Sequence, residues 1–135
     1  MQWASFIYLY LISLPVFLVV DLLWIGVFAN DFYTRQIGHL RGDINWAAAI
    51  AFYLIFLAGL TFFAAYPAAQ SGSVWQGVLL GALYGFFIYA AYDLTSMATL
   101  KDWPLLMTIV DMAWGTVLGA TVTGLSVWAY LTWIA

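Results

Sequence analysis

Four apolar runs, each long enough to cross bilayer hydrocarbon as a helix of roughly 20 residues, decide what this chain can fold into. They occupy about 5–29, 46–66, 74–99 and 104–130. Of the residues, 67% are hydrophobic and 7% charged, against about a quarter charged in soluble domains. A soluble fold of 135 residues could not hide that much apolar surface. The first run lacks the basic flank of a secretory leader and exceeds an h-region in length, so it reads as a retained helix. The expected fold is an all-α integral membrane protein: one transmembrane domain, 1–135, built as an antiparallel up-down bundle of four transmembrane helices.

Helix punctuation frames the runs. Asn45 and Ser73 are placed to cap the second and third helices, and Asp102 the fourth, with Pro104 in its first turn. Pro67 is expected to stop the second. The short connections (30–45, 67–73 and 100–102) force neighbours to run antiparallel. Arg35 and Arg41 fall in the first connection and Lys101 in the third, which must share a side. The positive-inside rule makes that side cytoplasmic and both termini periplasmic, in a bacterial inner membrane. Trp3, Tyr66, Trp75, Tyr130 and Trp133 are expected in the outer aromatic belt, and Tyr33, Trp46 and Trp103 in the inner one.

All six acidic residues are aspartates. Asp31, Asp43 and Asp102 fall in connections, where water solvates them. Asp21, Asp93 and Asp111 fall inside helices, where a carboxylate is expensive unless it faces the bundle interior. At 1.5 Å per residue all three lie roughly 10–12 Å inside the cytoplasmic boundary. Gly77, Gly81, Gly85, Tyr89 and Asp93 recur every four residues on the third helix, and Asp111, Gly115, Gly119 and Thr123 on the fourth. Small residues at that spacing let backbones approach, which sets Asp93 and Asp111 where the two helices meet. Val-Asp-x-x-Trp occurs at 20–24 and again at 110–114, a pattern that a duplication would leave. The expected polar cluster is Asp21, Asp93 and Asp111 with Trp24, Trp114, Tyr92 and Thr95; Thr99 and Thr108 lie at similar depth.

Three roles are open to this cluster. The carboxyls can be held protonated as interhelical hydrogen-bond partners, they can form a ligand, proton or ion site, or they can be catalytic. His39 is either an ordinary interfacial residue or part of a loop over the cytoplasmic mouth. There it could exchange protons with the aspartates, and Arg35 and Arg41 could hold an anionic head group. No metal-ligand spacing, nucleophile motif, phosphate loop or haem pattern is present, no cofactor is indicated, and the few charges make no patch for nucleic acid. Aromatic residues, 20% of the chain, suit packing around a flat apolar molecule such as a quinone, a pigment or a lipid tail.

The segments Val20-Asp-Leu-Leu-Trp-Ile-Gly26, Asp31-Phe-Tyr33, Tyr92-Asp-Leu-Thr95, Ala98-Thr-Leu-Lys101-Asp-Trp-Pro104 and Ile109-Val-Asp-Met-Ala-Trp-Gly115 resemble the bacterial membrane-protein family DUF2177. The resemblance spans nearly the whole chain and implies a small four-helix inner-membrane protein. It implies no activity. The expected function is therefore a non-catalytic accessory subunit of a larger membrane complex, or a binder of an apolar ligand. The alternative is a membrane-embedded lipid-modifying enzyme or a proton-coupled carrier using the aspartates; a carrier this small would have to dimerise.

Overall fold

A computed structural model describes residues 1–135 as four long helices, each apolar enough to cross a membrane: α1 (Trp3–Leu40), α2 (Trp46–Gln70), α3 (Val74–Thr99) and α4 (Leu105–Trp133). Of 106 backbone hydrogen bonds, 95 lie within the helices, so hydrocarbon meets almost no unpaired peptide group. Only 31 of 135 residues are buried; the broad apolar outer surface is what lipid would cover.

Contacts run in opposite directions along each neighbouring pair. Between α1 and α2, the Gln2 amide donates to Tyr66 Oη at 2.8 Å and Tyr10 Oη to the Leu54 carbonyl at 3.2 Å. Between α1 and α4, Tyr130 Oη donates to Ser5 Oγ at 2.7 Å, and Trp24 stacks on Trp114 toward the other end. Between α2 and α3, Tyr84 Oη donates to the Phe56 carbonyl at 2.9 Å. The α3–α4 pair is the tightest. A methyl group on Gly85 would be driven into the Gly115 carbonyl, and one on Gly119 into the Gly81 carbonyl. The glycine ridges therefore bring the two backbones into direct contact, as small residues do in membranes.

Both side-chain caps of Asn45 and Ser73 form, accepting from the Ala48 amide at 3.1 Å and the Gln76 amide at 3.0 Å. Asp102 does not cap α4. It sits in the preceding turn in the left-handed region, φ 60°, and Pro104 is the capping residue. The helix expected at 104–130 begins at Leu105 and continues to Trp133.

Two further expectations are corrected. The first helix does not end near Ala29. It passes through a π-helical turn, Trp24–Ala29, and continues as Asn30–Ile37 and a 3-10 turn, Gly38–Leu40. The polar residues that look like a loop extend α1 beyond its apolar run, and the connection shrinks to 41–45. Nor does Pro67 stop α2. A π-helical turn, Thr61–Ala65, directly precedes it, and the helix runs on to Gln70. A regular helix would set the proline ring against the carbonyl four residues back; the wider turn relieves that clash.

The core of Leu9, Phe17, Phe56, Leu57, Leu60, Leu118, Val122 and Val127 gathers α1, the second half of α2, and α4. Residues 46–55 of α2, by contrast, include no buried residue. That half of α2 stands away from the bundle and leaves a cavity at the end that carries Arg35, Arg41 and Lys101, called here the basic end.

Candidate functional site

The cavity encloses about 780 Å³ and is lined by 17 residues from all four helices and the first connection, 13 of them hydrophobic. Its polar wall holds Asp21 and Asp111. Asp21, Asp93 and Asp111 are 7%, 0% and 8% exposed, so all three are withdrawn from the outer surface. Asp93 lies beside Asp111, behind the cavity wall; the Asp111 carboxyl is its hydrogen-bonding neighbour, and no N–H or hydroxyl of the chain reaches either of its oxygens.

A hydrogen-bonded chain crosses from α1 to α4. Trp24 Nε1 donates to Tyr33 Oη at 3.1 Å, and Tyr33 Oη donates to Asp111 Oδ1 at 2.6 Å. Trp24 also stacks face to face on Trp114, ring centroids 4.3 Å apart and planes 6° from parallel. Asp21 faces Trp114 and Tyr53. The two Asp-x-x-Trp segments are thus cross-paired, with Trp114 beside Asp21 and Trp24 linked through Tyr33 to Asp111. Antiparallel helices carrying one motif at their crossing must do this, because each tryptophan lies at the level of the other helix's aspartate.

Tyr33 was expected in the inner aromatic belt; it turns inward instead. The π turn is the reason. Asp21 and Tyr33 are twelve residues apart, which a regular helix at about 100° per residue would set about 120° out of line. A π turn absorbs one extra residue, so the twelve advance like eleven, and the two side chains come within about 20° of one face. No apolar periodicity announces such a turn, and the short segment Asp31-Phe-Tyr33 was the only available signal. Tyr53 and Tyr89 line the cavity too; the glycine ridge ending in Tyr89 pointed to the second. Tyr130, expected in the outer belt, is buried against Ser5.

Not every expected member joins. Thr95 is exposed and bonds the carbonyls of Ala91 and Tyr92 on its own helix. Thr99 likewise bonds the Thr95 carbonyl at 2.8 Å, and Thr108, though buried, bonds the Pro104 carbonyl at 3.0 Å. Tyr92 lines the cavity at its rim, 57% exposed and packed edge-on against Trp103. Of the three mouth residues only Arg41 lines the cavity. Arg35 is exposed elsewhere on α1. His39 lies 3.8 Å from Asp102 on the surface and does not reach the buried aspartates.

The family described as "Predicted membrane protein (DUF2177)" matches residues 6–128. The chain belongs to that family. Neither a curated protein nor a solved structure matches it. The matched stretch of this DUF2177 protein contains every residue of the cavity wall described above, both Asp-x-x-Trp segments included. The four candidate spans and the family description agree that it is a polytopic membrane protein.

Chemically, the cavity offers an apolar sleeve for a chain or ring and a polar wall for a head group. The wall accepts hydrogen bonds or positive charge at Asp21 and Asp111. Asp111 is fixed there by Tyr33, itself held by Trp24.

Proposed function

We propose that this DUF2177 protein binds a membrane-resident amphiphile, its apolar part in the cavity between the helices and its polar part at the Asp21–Asp111 wall. The observation that carries this reading is the cavity itself. An opening of about 780 Å³ with 13 hydrophobic lining residues has the size and lining of small-molecule sites, which are mostly apolar with a few convergent polar groups. It also adjoins helices whose outer faces are mostly apolar, so a lipid-like molecule can enter from the bilayer without crossing water. The placement of Arg35, Arg41 and Lys101 at one end supports a cytoplasmic-membrane orientation with that end inside and both termini outside.

The test is to fill the cavity. Ala49 lines it on the half of α2 that stands away from the core, so Ala49→Trp should be tolerated. After gentle solubilisation, the unaltered protein should retain about one amphiphile per chain, and the variant should lose most of it at similar thermal stability. Equal retention by both proteins would remove the cavity from the reading.

One observation favours a second reading. Asp93 is buried with no N–H or hydroxyl of the chain on its oxygens, against the Asp111 carboxyl that accepts a 2.6 Å hydrogen bond from tyrosine. Intramembrane carboxyls in such company commonly relay protons, as a proton-coupled carrier or a lipid-modifying enzyme would need. Proton uptake linked to amphiphile binding, lost in Asp93→Asn, would support it; pH-independent binding would count against it.

A further inference from the structure

The geometry points to a phospholipid with a cationic nitrogen in its head group, the nitrogen seated at the Asp21–Asp111 wall and the phosphate at Arg41. This rests on the amphiphile-binding reading and specifies its ligand. The first observation is an imbalance of charge. Asp21, Asp93 and Asp111 are withdrawn into the bundle within one small volume, and no lysine, arginine or histidine pairs with any of them. Buried ionisable groups are normally paired; here Asp93 and Asp111 have only each other's carboxyl at their shared side, and no N–H or hydroxyl of the chain reaches Asp93. A cation at the cavity wall supplies what the chain lacks.

The second observation is independent of the acidic cluster. Arg41 is the only basic residue lining the cavity. Its Nη1 donates to Thr34 Oγ1 at 3.4 Å, so the side chain folds back along α1 to the residue next to Tyr33, whose hydroxyl holds Asp111. A guanidinium and a carboxyl therefore face one cavity at neighbouring levels without forming an ion pair. Such a wall complements a zwitterion. Arginine matches a phosphate, and the carboxyls at the wall, Asp111 and the Asp21 held by the polar edges of Trp114 and Tyr53, suit an ammonium through charge-assisted hydrogen bonds. An anionic head group without nitrogen would satisfy Arg41 and be repelled by the aspartates. A neutral one would leave both unmet. The 13 hydrophobic lining residues take the acyl chains, which favours an intact lipid over a free head group.

The experiment is competition on the full chain in a neutral detergent. Equimolar phosphatidylethanolamine, phosphatidylglycerol and diacylglycerol with identical oleoyl chains are offered, and bound lipid is counted by native mass spectrometry. Phosphatidylethanolamine should be retained about tenfold over each rival, the ratio expected of one charge-assisted contact. Asp111→Asn should bring it level with phosphatidylglycerol, and Asp21→Asn serves if that variant does not fold. Arg41→Gln, at an exposed position, should lower both phospholipids against diacylglycerol while leaving their mutual ratio unchanged. Equal retention of the two phospholipids by the unaltered protein, or ratios that neither substitution moves, overturns the head-group assignment. Equal retention of all three lipids overturns it while leaving cavity binding intact; retention of none removes both. Displacement of bound lipid by millimolar glycerophosphoethanolamine would make the free head group the ligand and overturn the lipid assignment.

Discussion

Replacing Tyr33 by phenylalanine removes a single oxygen, yet that oxygen joins two helices. It accepts from Trp24 Nε1 at 3.1 Å and donates to Asp111 Oδ1 at 2.6 Å. Its loss leaves one indole N–H and one carboxyl oxygen without these partners in a site where Asp111 is 8% exposed. An unsatisfied buried group costs about 1–3 kcal/mol. Polar contacts inside membrane proteins average nearer 0.6 kcal/mol and reach about 1.7, because the unfolded chain finds other partners. Two such contacts are lost together, so the expected loss for Tyr33→Phe is about 1–3 kcal/mol, measured by titrating the protein from mixed micelles with sodium dodecyl sulfate. A double-mutant cycle with Asp111→Asn isolates the bond itself. Residues in one network couple by about 0.5–3 kcal/mol, whereas independent sites add to within roughly 0.5. The Trp24–Trp114 stack supplies a second readout, since its near-ultraviolet circular dichroism should weaken when Trp24 loses its anchor. Additive free energies with an unchanged aromatic signal would refute the relay from Trp24 through Tyr33 to Asp111.

Other perturbations test other parts. Gly85→Ala should cost about 1–3 kcal/mol, the usual range for overpacking, because the new methyl meets the Gly115 carbonyl; Gly42→Ala, in open space, should stay within about 0.5 kcal/mol, and equal effects in the same denaturant titration would dismiss the glycine crossing. Asp93→Asn should change stability by less than about 1 kcal/mol, since an amide can take the place of the carboxyl beside Asp111; a loss above about 2 kcal/mol in that titration would show that the carboxyl is held by further partners. A reporter fused after Ala135 should read periplasmic and one inserted at 41–45 cytoplasmic; the opposite pair would reverse the orientation, and matching readings would dispute the number of spans.

The spans were legible because hydrocarbon demands long apolar runs, and the Asn45 and Ser73 caps because a side-chain oxygen before a helix has few other uses. The glycine ridges announced the α3–α4 contact, and the aspartates stood out by their expense. What escaped notice followed from local departures from a regular helix. Asn30–Ile37 is polar enough to pass for a loop, so Tyr33 looked like a belt residue. Pro67 reads as a terminator unless a π turn precedes it. Thr95 shares the depth of the aspartates but not their face, and its hydroxyl satisfies itself on the preceding turn. Depth can be counted from a sequence, whereas azimuth cannot once a turn of unequal width intervenes.

The π turn in α1 has a consequence for how such a site is inherited. Between Asp21 and Tyr33 the turn holds one residue more than a regular helix needs for the same facing. Loss of one residue between 24 and 29 would let the helix close into regular turns, and eleven regular residues would still set Asp21 and Tyr33 within about 20° of one face. A substitution that closed the turn without removing a residue would instead rotate everything beyond, Tyr33 and Arg41 included, by about 100°. Every other residue of the site would still be encoded, yet the tyrosine would leave the face of Asp21. Within this stretch the letters are thus under tighter constraint than the count: a lineage can lose one codon there and keep the site, while a side chain that enforces regular turns would dismantle it.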